Sequence, residues 1–199
     1  MIVPDGYSDV PAGKLASVVT CLEMRARPGL RFDPANTAWQ LRRIDRPHLD
    51  WYRELFLRVG APWLWYSRLR MPDDELTAIV SSSRVEVYAL TLDDRDEGLL
   101  ELDFREAGEC ELAFFGVTPA VQGQGAGRWL MNRAIERAWS LAIGRFWVHT
   151  CTLDHPAALG FYLRSGFRAY ARRVEVADDP RVTGVLPPGF APGIPVIER

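Results

Sequence analysis

Lysine is all but missing from this chain. Of its 24 basic side chains only Lys14 is a lysine, and the other 23 are arginines. A phosphate loop that depends on lysine is thereby excluded beyond the extreme N-terminus, as is a lysine nucleophile or Schiff base in the body of the chain. Anion recognition falls to arginine, whose planar fork matches phosphate oxygens and whose charge does not titrate near neutrality. Cysteine is scarce: Cys21, Cys110 and Cys151 are widely spaced, odd in number and free of any Cys-x-x-Cys pair. That excludes a disulfide framework and fits a reducing compartment. No stretch approaches the ~18 apolar residues of a membrane span. Met1 to Lys14 carries Asp5 and Asp9 and no apolar core of signal-peptide length, so a cytoplasmic location and no membrane partner are expected. With a net charge of −2 the chain also lacks the basic excess of a nucleic-acid coat, and no nucleic-acid partner is expected.

What is present is a chain of 199 residues, 48% hydrophobic, long enough to bury a core without staples or a structural metal. The reading is a single domain over residues 1–179 and a Pro/Gly-rich tail over 180–199. The tail holds five of the 14 prolines, which remove backbone donors and forbid regular helix or central strand. It packs either across its own domain or across a second copy in a homodimer.

Strand and helix signals alternate before the tail. Lys14 to Met24 and Trp39 to Ile44 read as strands. Pro47 to Val59 reads as a helix, with Leu49, Tyr52, Leu55, Phe56 and Val59 at three- and four-residue steps, stopped by Gly60 and Pro62. Pro72 to Val80 is a short helix with Asp73, Asp74 and Glu75 in its first turn, where the helix dipole favours them. Strands follow at Val85 to Leu92, Leu99 to Arg105 and Glu109 to Val117, with connections short enough for antiparallel hairpins. Arg128 to Ile143 is the clearest helix, its buried face running from Leu130 through Ala134 to Leu141 and Ala142. Phe146 to Cys151 is an interior strand, His155 to Ser165 a last helix ended by Gly166, and Phe167 to Val176 a terminal strand. A crossover joins Glu109–Val117 to Phe146–Cys151, so these two strands should be parallel neighbours.

The most informative stretch is Val117-Thr-Pro-Ala-Val-Gln122-Gly123-Gln124-Gly125-Ala126-Gly127-Arg128. A strand runs into alternate glycines and then into a strong helix, so backbone N–H groups and the helix dipole converge on one point. Such a point suits an anion, most simply a pyrophosphate; the bland alternative is a tight connection with no ligand. Two rival phosphate loops fail. A Walker loop needs Gly-Lys-Ser/Thr where Gly127-Arg128-Trp129 stands, and a dinucleotide fingerprint starting at Gly123 needs glycine at Arg128. An NTPase or nucleotide-dependent oxidoreductase is disfavoured accordingly.

Gln122-x-x-Gly125-x-Gly127 instead resembles the pyrophosphate loop of the GNAT superfamily of acyl-CoA-dependent N-acyltransferases, whose pattern is Gln/Arg-x-x-Gly-x-Gly/Ala. A second segment, Ala158-x-x-x-Tyr162-x-x-x-Gly166-Phe167, is similar to that family's Ala-x-x-x-Tyr-x-x-x-Gly-Phe signature. The resemblance covers roughly residues 85–176. It implies an α/β (α+β) fold: a GNAT-type mixed, mostly antiparallel central sheet flanked by helices, with a β-α-β acyl-CoA-binding core. It implies acetyl-CoA as cosubstrate, no metal, and direct transfer of the acetyl group to a primary amine of a small molecule or peptide in a ternary complex. The rival of another class is a non-catalytic acyl-CoA-binding regulatory module.

The resemblance also assigns residues. Phe115, Gly116 and Val117 would run along the pantetheine arm, one of their N–H groups polarising the thioester carbonyl. Gln122, Gly123, Gln124, Gly125, Ala126, Gly127 and Arg128 would cradle the pyrophosphate, although Arg128 reads equally as a first-turn surface arginine. Arg164 and Arg168 meet the 3′-phosphate or nothing. Tyr162 matches the tyrosine that protonates the departing thiolate; its alternative is a half-buried helix aromatic. Glu111 stands where histone-acetylating relatives carry a glutamate that removes the amine proton through water; its alternative is a solvated strand carboxylate. His155, with Asp154, falls where the family often has an asparagine contacting pantetheine, against a helix-capping alternative. Trp63, Trp65 and Tyr66 read as acceptor pocket or as core. His149 and Cys151 on one interior strand are weak evidence for a metal and read as packing.

Overall fold

The computed structural model describes residues 5–34 and 38–198. Met1 to Pro4 of the segment read for a leader, and Arg199 of the tail, lie outside the described residues. The strands are β1 (Lys14–Met24), β2 (Gln40–Ile44), β3 (Val85–Leu92), β4 (Arg95–Asp103), β5 (Glu109–Val117), β6 (Arg145–Cys151) and β7 (Arg168–Asp178). The helices are α1 (Leu49–Gly60), α2 (Ser67–Arg70), α3 (Asp73–Val80), α4 (Ala126–Ala138) and α5 (Ala158–Arg164). All seven strands form one sheet in the order β2-β3-β4-β5-β6-β1-β7. Every neighbouring pair is antiparallel except β5 and β6, the two strands joined by the crossover through α4.

The alternation of each strand splits the core in two. Tyr88, Leu90, Leu100, Leu102, Leu112, Phe146 and Val148 face α4 and α5, where Leu130, Ala134, Ile135 and Tyr162 meet them. Val87, Ala89 and Leu99 face the other way, against Tyr52, Leu55 and Phe56 of α1 and Leu76 and Val80 of α3. The helical periodicity read from Leu49 to Val59 is the stripe that closes this second layer.

Several expectations shift. β4 begins at Arg95 rather than Leu99, because Asp93 and Asp94 both take positive φ (48° and 59°) and make a two-residue turn between Leu92 and Arg95. α4 starts two residues early and stops at Ala138; Ser140 Oγ donates to the Arg137 carbonyl at that end, and Leu141 is left 41% exposed instead of buried. α5 starts at Ala158, because His155 to Ala157 form a turn. β1 is inserted between β6 and β7, at the opposite end of the sheet from β2.

The described residues of the tail, 180–198, form no regular element and pack on their own chain. Arg181 is its clamp: the guanidinium holds Asp179 through two bonds of 3.0 and 2.7 Å and donates to the carbonyls of Phe190, Ala191 and Ile194. Leu186 is buried with Leu15, Ala61 and Leu64.

Candidate active site

β5 and β6 stay together only from Glu109–Arg145 to Glu111–Trp147. Beyond that point they diverge, and a bulge at Ala113, where β5 slips against β4, turns β5 further away. The divergence leaves the β6-facing edge of β5 unpaired over Leu112 to Val117 and opens a cavity of about 890 Å³ that runs through the sheet. The residues assigned above to catalysis, the pantetheine arm and the pyrophosphate line it: Glu111, Phe115 to Val117, Gln122 to Arg128, His155 and Tyr162; Arg164 and Arg168, offered for the 3′-phosphate, do not. Trp63, Trp65 and Tyr66 line it as well.

One arm of the cavity is made mainly of backbone. β5 ends at Val117, a 3-10 turn spans Pro119–Val121, and α4 starts directly after Gly125. Gly125 is the N-cap residue with φ 93°, a conformation L side chains rarely adopt. A Cβ there would also stand 2.6 Å from Pro34 Cγ. The first intrahelical bond runs from Trp129 N–H to the Gly125 carbonyl (3.0 Å), so the N–H groups of Ala126, Gly127 and Arg128 precede any helical acceptor. The loop's amide side chains fold back, Gln122 Nε2 onto the Val117 carbonyl and Gln124 Nε2 onto that of Ala120. Arg128 Nε is buried without a hydrogen-bond partner. The segment before residue 35 lies over this arm: Asp33 accepts from Asn132 Nδ2 and Arg133 Nη2, both at 2.7 Å, and Arg31 lines the cavity.

α5 brings Tyr162 to the wall opposite β5. Its ring meets Phe115 edge-on at 6.3 Å, and Phe115 stacks on Phe161 at 5.6 Å. Burial, with the Asp154 carboxylate second, raises the phenol's pKa well above its usual value, so Tyr162 stays protonated at neutral pH. Asp154 is not a helix cap. It accepts from Thr150 Oγ1, the Cys151 N–H and Trp65 Nε1, tying the end of β6 to the loop after α1. His155 does cap the turn before α5, its Nδ1 accepting from the Ala157 N–H at 3.0 Å, and its ring meets Trp63 at 4.8 Å. Trp65 serves two purposes, lining the cavity and packing on Phe56 and Phe114. Gly116 makes room for that packing, since a Cβ there would lie 2.5 Å from Val59 Cγ1.

The other arm is built from charged side chains. Glu111 on β5 faces Asp103 on β4. Burial, then the charges of Asp103 and Glu101, push the Glu111 carboxyl up to about 7. The nearby arginines are committed elsewhere: Arg105 holds Asp103, and Arg68 holds the fully buried Glu101, which also accepts from Tyr52. His149 does not pack into the interior. Its side chain is 53% exposed, and its Nδ1 lies 3.7 Å from Glu111 Oε1. Arg68, Glu101, Asp103 and Arg105 escaped the sequence reading because no local pattern joins a four-residue helix to alternate positions of a strand.

The family model described as the acetyltransferase (GNAT) family matches residues 40–167. The chain belongs to the GNAT acetyltransferase family. Among curated proteins it is similar to the mycothiol acetyltransferase of Jonesia denitrificans, 26% identical over 167 residues, covering 79% of this chain and 48% of that protein. The chain thus spans about half the length of this curated relative. Among solved structures it is similar to a protein assigned to the GNAT family from Novosphingobium aromaticivorans, with TM-score 0.58, 14% identity, 86% of this chain and 69% of that one. It is similar also to an aminoglycoside acetyltransferase from an uncultured soil metagenomic sample in complex with sisomicin, with TM-score 0.52, 17% identity, 64% of this chain and 87% of that one. These likenesses show the fold, a mixed sheet flanked by helices. Both β1 and β7 lie outside the matched segment, so the GNAT core here is flanked on one side by a pair of strands from the two ends of the chain.

Proposed function

We propose that the protein is an N-acetyltransferase that moves the acetyl group of acetyl-CoA directly onto a primary amine held in the same cavity. One observation carries this reading. The divergence of β5 from β6 puts the glycine loop, Tyr162 and Glu111 on the walls of a single cavity, with the loop arm on one side and the carboxylate arm on the other. The loop arm fits a CoA diphosphate: glycines remove Cβ atoms, three N–H groups precede the first helical bond, and the buried Arg128 Nε lacks an acceptor. Acetyl-CoA, when bound, supplies an acetyl group activated as a thioester.

The chain's own groups then meet three demands. One of the β5 N–H groups between Phe115 and Val117 that points toward the unpaired β6 side orients and polarises the carbonyl. Glu111, its carboxyl pushed up to about 7, is poised near neutral pH between its acid and base forms, and its carboxylate takes a proton from the incoming ammonium through water. Tyr162, kept neutral by burial, gives its proton to the departing sulfur. No cysteine is needed as an acyl carrier: Cys151, the cysteine on this cavity, has its thiol pKa raised by burial, the reverse of activation.

The acceptor is a small molecule or a peptide. The names of the similar proteins, mycothiol acetyltransferase and aminoglycoside acetyltransferase, favour a small amine. The reading places the enzyme in the cytoplasm, with one domain over residues 1–179. Among the described residues no helix is long and apolar enough to cross a membrane. The test is thiol release from acetyl-CoA across a panel of amines, amino acids, aminoglycosides and peptides, with thermal shift against acetyl-CoA, ATP and NAD beside it. Amine-dependent thiol release is expected, and Tyr162→Phe should lower kcat by about 10²-fold. Stabilisation by ATP or NAD but not by acetyl-CoA defeats the assignment, and full turnover by Tyr162→Phe removes the general acid.

A further inference from the structure

His149 stands beside Glu111 on the carboxylate arm. Trp147 of β6 is the parallel partner of Glu111, and the two-residue period of a strand returns His149 to the same face of the sheet. The side chains are 3.7 Å apart between Nδ1 and Oε1, beyond a direct hydrogen bond but within the span of a small side-chain torsion. The two ends of this pair differ in their access to solvent: the Glu111 side chain is 25% exposed and that of His149 53%. From the other elements, Glu111 faces Asp103 and Glu101 of β4, Arg105 beyond them and Arg68 of α2. His149 faces Glu111, the Trp147 ring at 6.4 Å on its own strand, and Cys21 across β1. Both arginines are bound to other carboxylates, so the ion-pair partner of Glu111 among the described residues is His149.

We infer that His149 is the proton outlet of Glu111, a positioning and relay residue that never touches the acceptor. The inference rests on the reading of Glu111 as the base that accepts the amine proton. An amine entering as its ammonium form loses two protons while the new C–N bond forms and the C–S bond breaks. One is returned to the leaving sulfur by way of Tyr162. The other must reach water, or Glu111 stays protonated and the next ammonium is not deprotonated. Of the two, His149 is the end that reaches solvent more freely, 53% exposed against 25% for Glu111. Neutral His149 with its hydrogen on Nε2 takes the proton at Nδ1, and the exposed ring gives up the Nε2 proton to solvent. Charge and atoms balance: the ammonium and acetyl-CoA give the amide, the free thiol and one proton in water.

Two measurements on the full chain test this. In dilute buffer His149→Ala should lower kcat by at least about tenfold, and added imidazole should restore it, because a small base replaces the missing outlet. Glu111→Gln should lose activity that imidazole does not restore. A His149→Ala enzyme with wild-type kcat, or one whose loss ignores imidazole, overturns the relay. The second measurement needs no acceptor: the NMR resonances of the His149 ring nitrogens in the wild type and in Glu111→Gln at one fixed pH. Removal of the carboxylate should shift the Nδ1 resonance, and an unchanged resonance overturns the pairing. Failure of the acetyltransferase reading appears separately, as wild-type protein that releases no thiol with any amine.

Discussion

The two arms of the cavity are built by opposite means. The arm proposed to hold acetyl-CoA comes from one continuous segment, Val117 to Arg128, and works through backbone N–H groups and the start of α4. The carboxylate arm is assembled from side chains on α1, α2, β4, β5 and β6, each held by a charged or polar neighbour. A backbone-built site is robust to side-chain change but breaks where a Cβ intrudes. A side-chain-built site breaks at its ion pairs and depends on pH.

The largest expected effect is on the carboxylate arm. Glu101 is fully buried, and Arg68 is its cation, itself only 7% exposed. Arg68→Ala leaves that carboxylate uncompensated and should cost about 3–5 kcal/mol, read from urea or thermal unfolding. Replacing the pair together, Arg68→Met with Glu101→Leu, should recover most of that loss, because two buried charges leave water at a cost that an apolar pair avoids. The double variant removes Glu101, whose charge raises the Glu111 carboxyl, together with Arg68, whose charge lowers it, so the acid limb of its kcat/KM profile should stay close to the wild type, whereas Arg68→Ala alone should move that limb to higher pH. A double variant that stays as unstable as Arg68→Ala breaks the account of this arm as a buried ion pair.

The next effect is the pH dependence of stability. Glu111 rises from an ordinary 4.5 to about 7 on folding, so between those values the native state binds more protons than the unfolded one. Stability from this group is therefore complete below about 4.5 and declines as pH rises toward 7. Glu111→Gln removes the ionisation, and above pH 7 it should be more stable than wild type by about 1–3 kcal/mol, while losing activity. A chemical denaturation series from pH 4.5 to 8 checks the sign: a variant that is less stable at pH 8 contradicts the buried, repelled carboxylate.

The contrast between the arms also explains what the sequence could tell. The glycine loop, the parallel β5–β6 pair and Tyr162 before the Ser165-Gly166 stop were legible, because each is a contiguous pattern whose geometry follows from local chemistry. The limits of β3 and β5 agreed with the structure for the same reason. α2 was invisible, since four residues carry no helical period. The place of β1 between β6 and β7 follows from pairing with strands more than a hundred residues away in sequence, which no local pattern encodes. His149 was visible as a residue but read as packing; only the register that sets it two residues beyond Trp147 gives it Glu111 as a neighbour.

The smallest effects should fall on the loop arm, and their ranking is the sharper test of the comparison. Gly125→Ala forces a Cβ into a φ of 93° and toward Pro34, a strain of about 1–2 kcal/mol. The change lies where α4 begins, so it should appear as a raised KM for acetyl-CoA and a reduced thermal shift by acetyl-CoA, with the pH profile of the carboxylate arm unmoved. Gln124→Ala, one residue earlier, removes a side chain that bonds only the Ala120 carbonyl in an exposed turn. An exposed bond of this kind is worth about 1 kcal/mol or less, so KM for acetyl-CoA should change by less than about fivefold. If Gln124→Ala weakens acetyl-CoA more than Gly125→Ala does, the loop grips its ligand through side chains, and the division between a backbone arm and a side-chain arm fails.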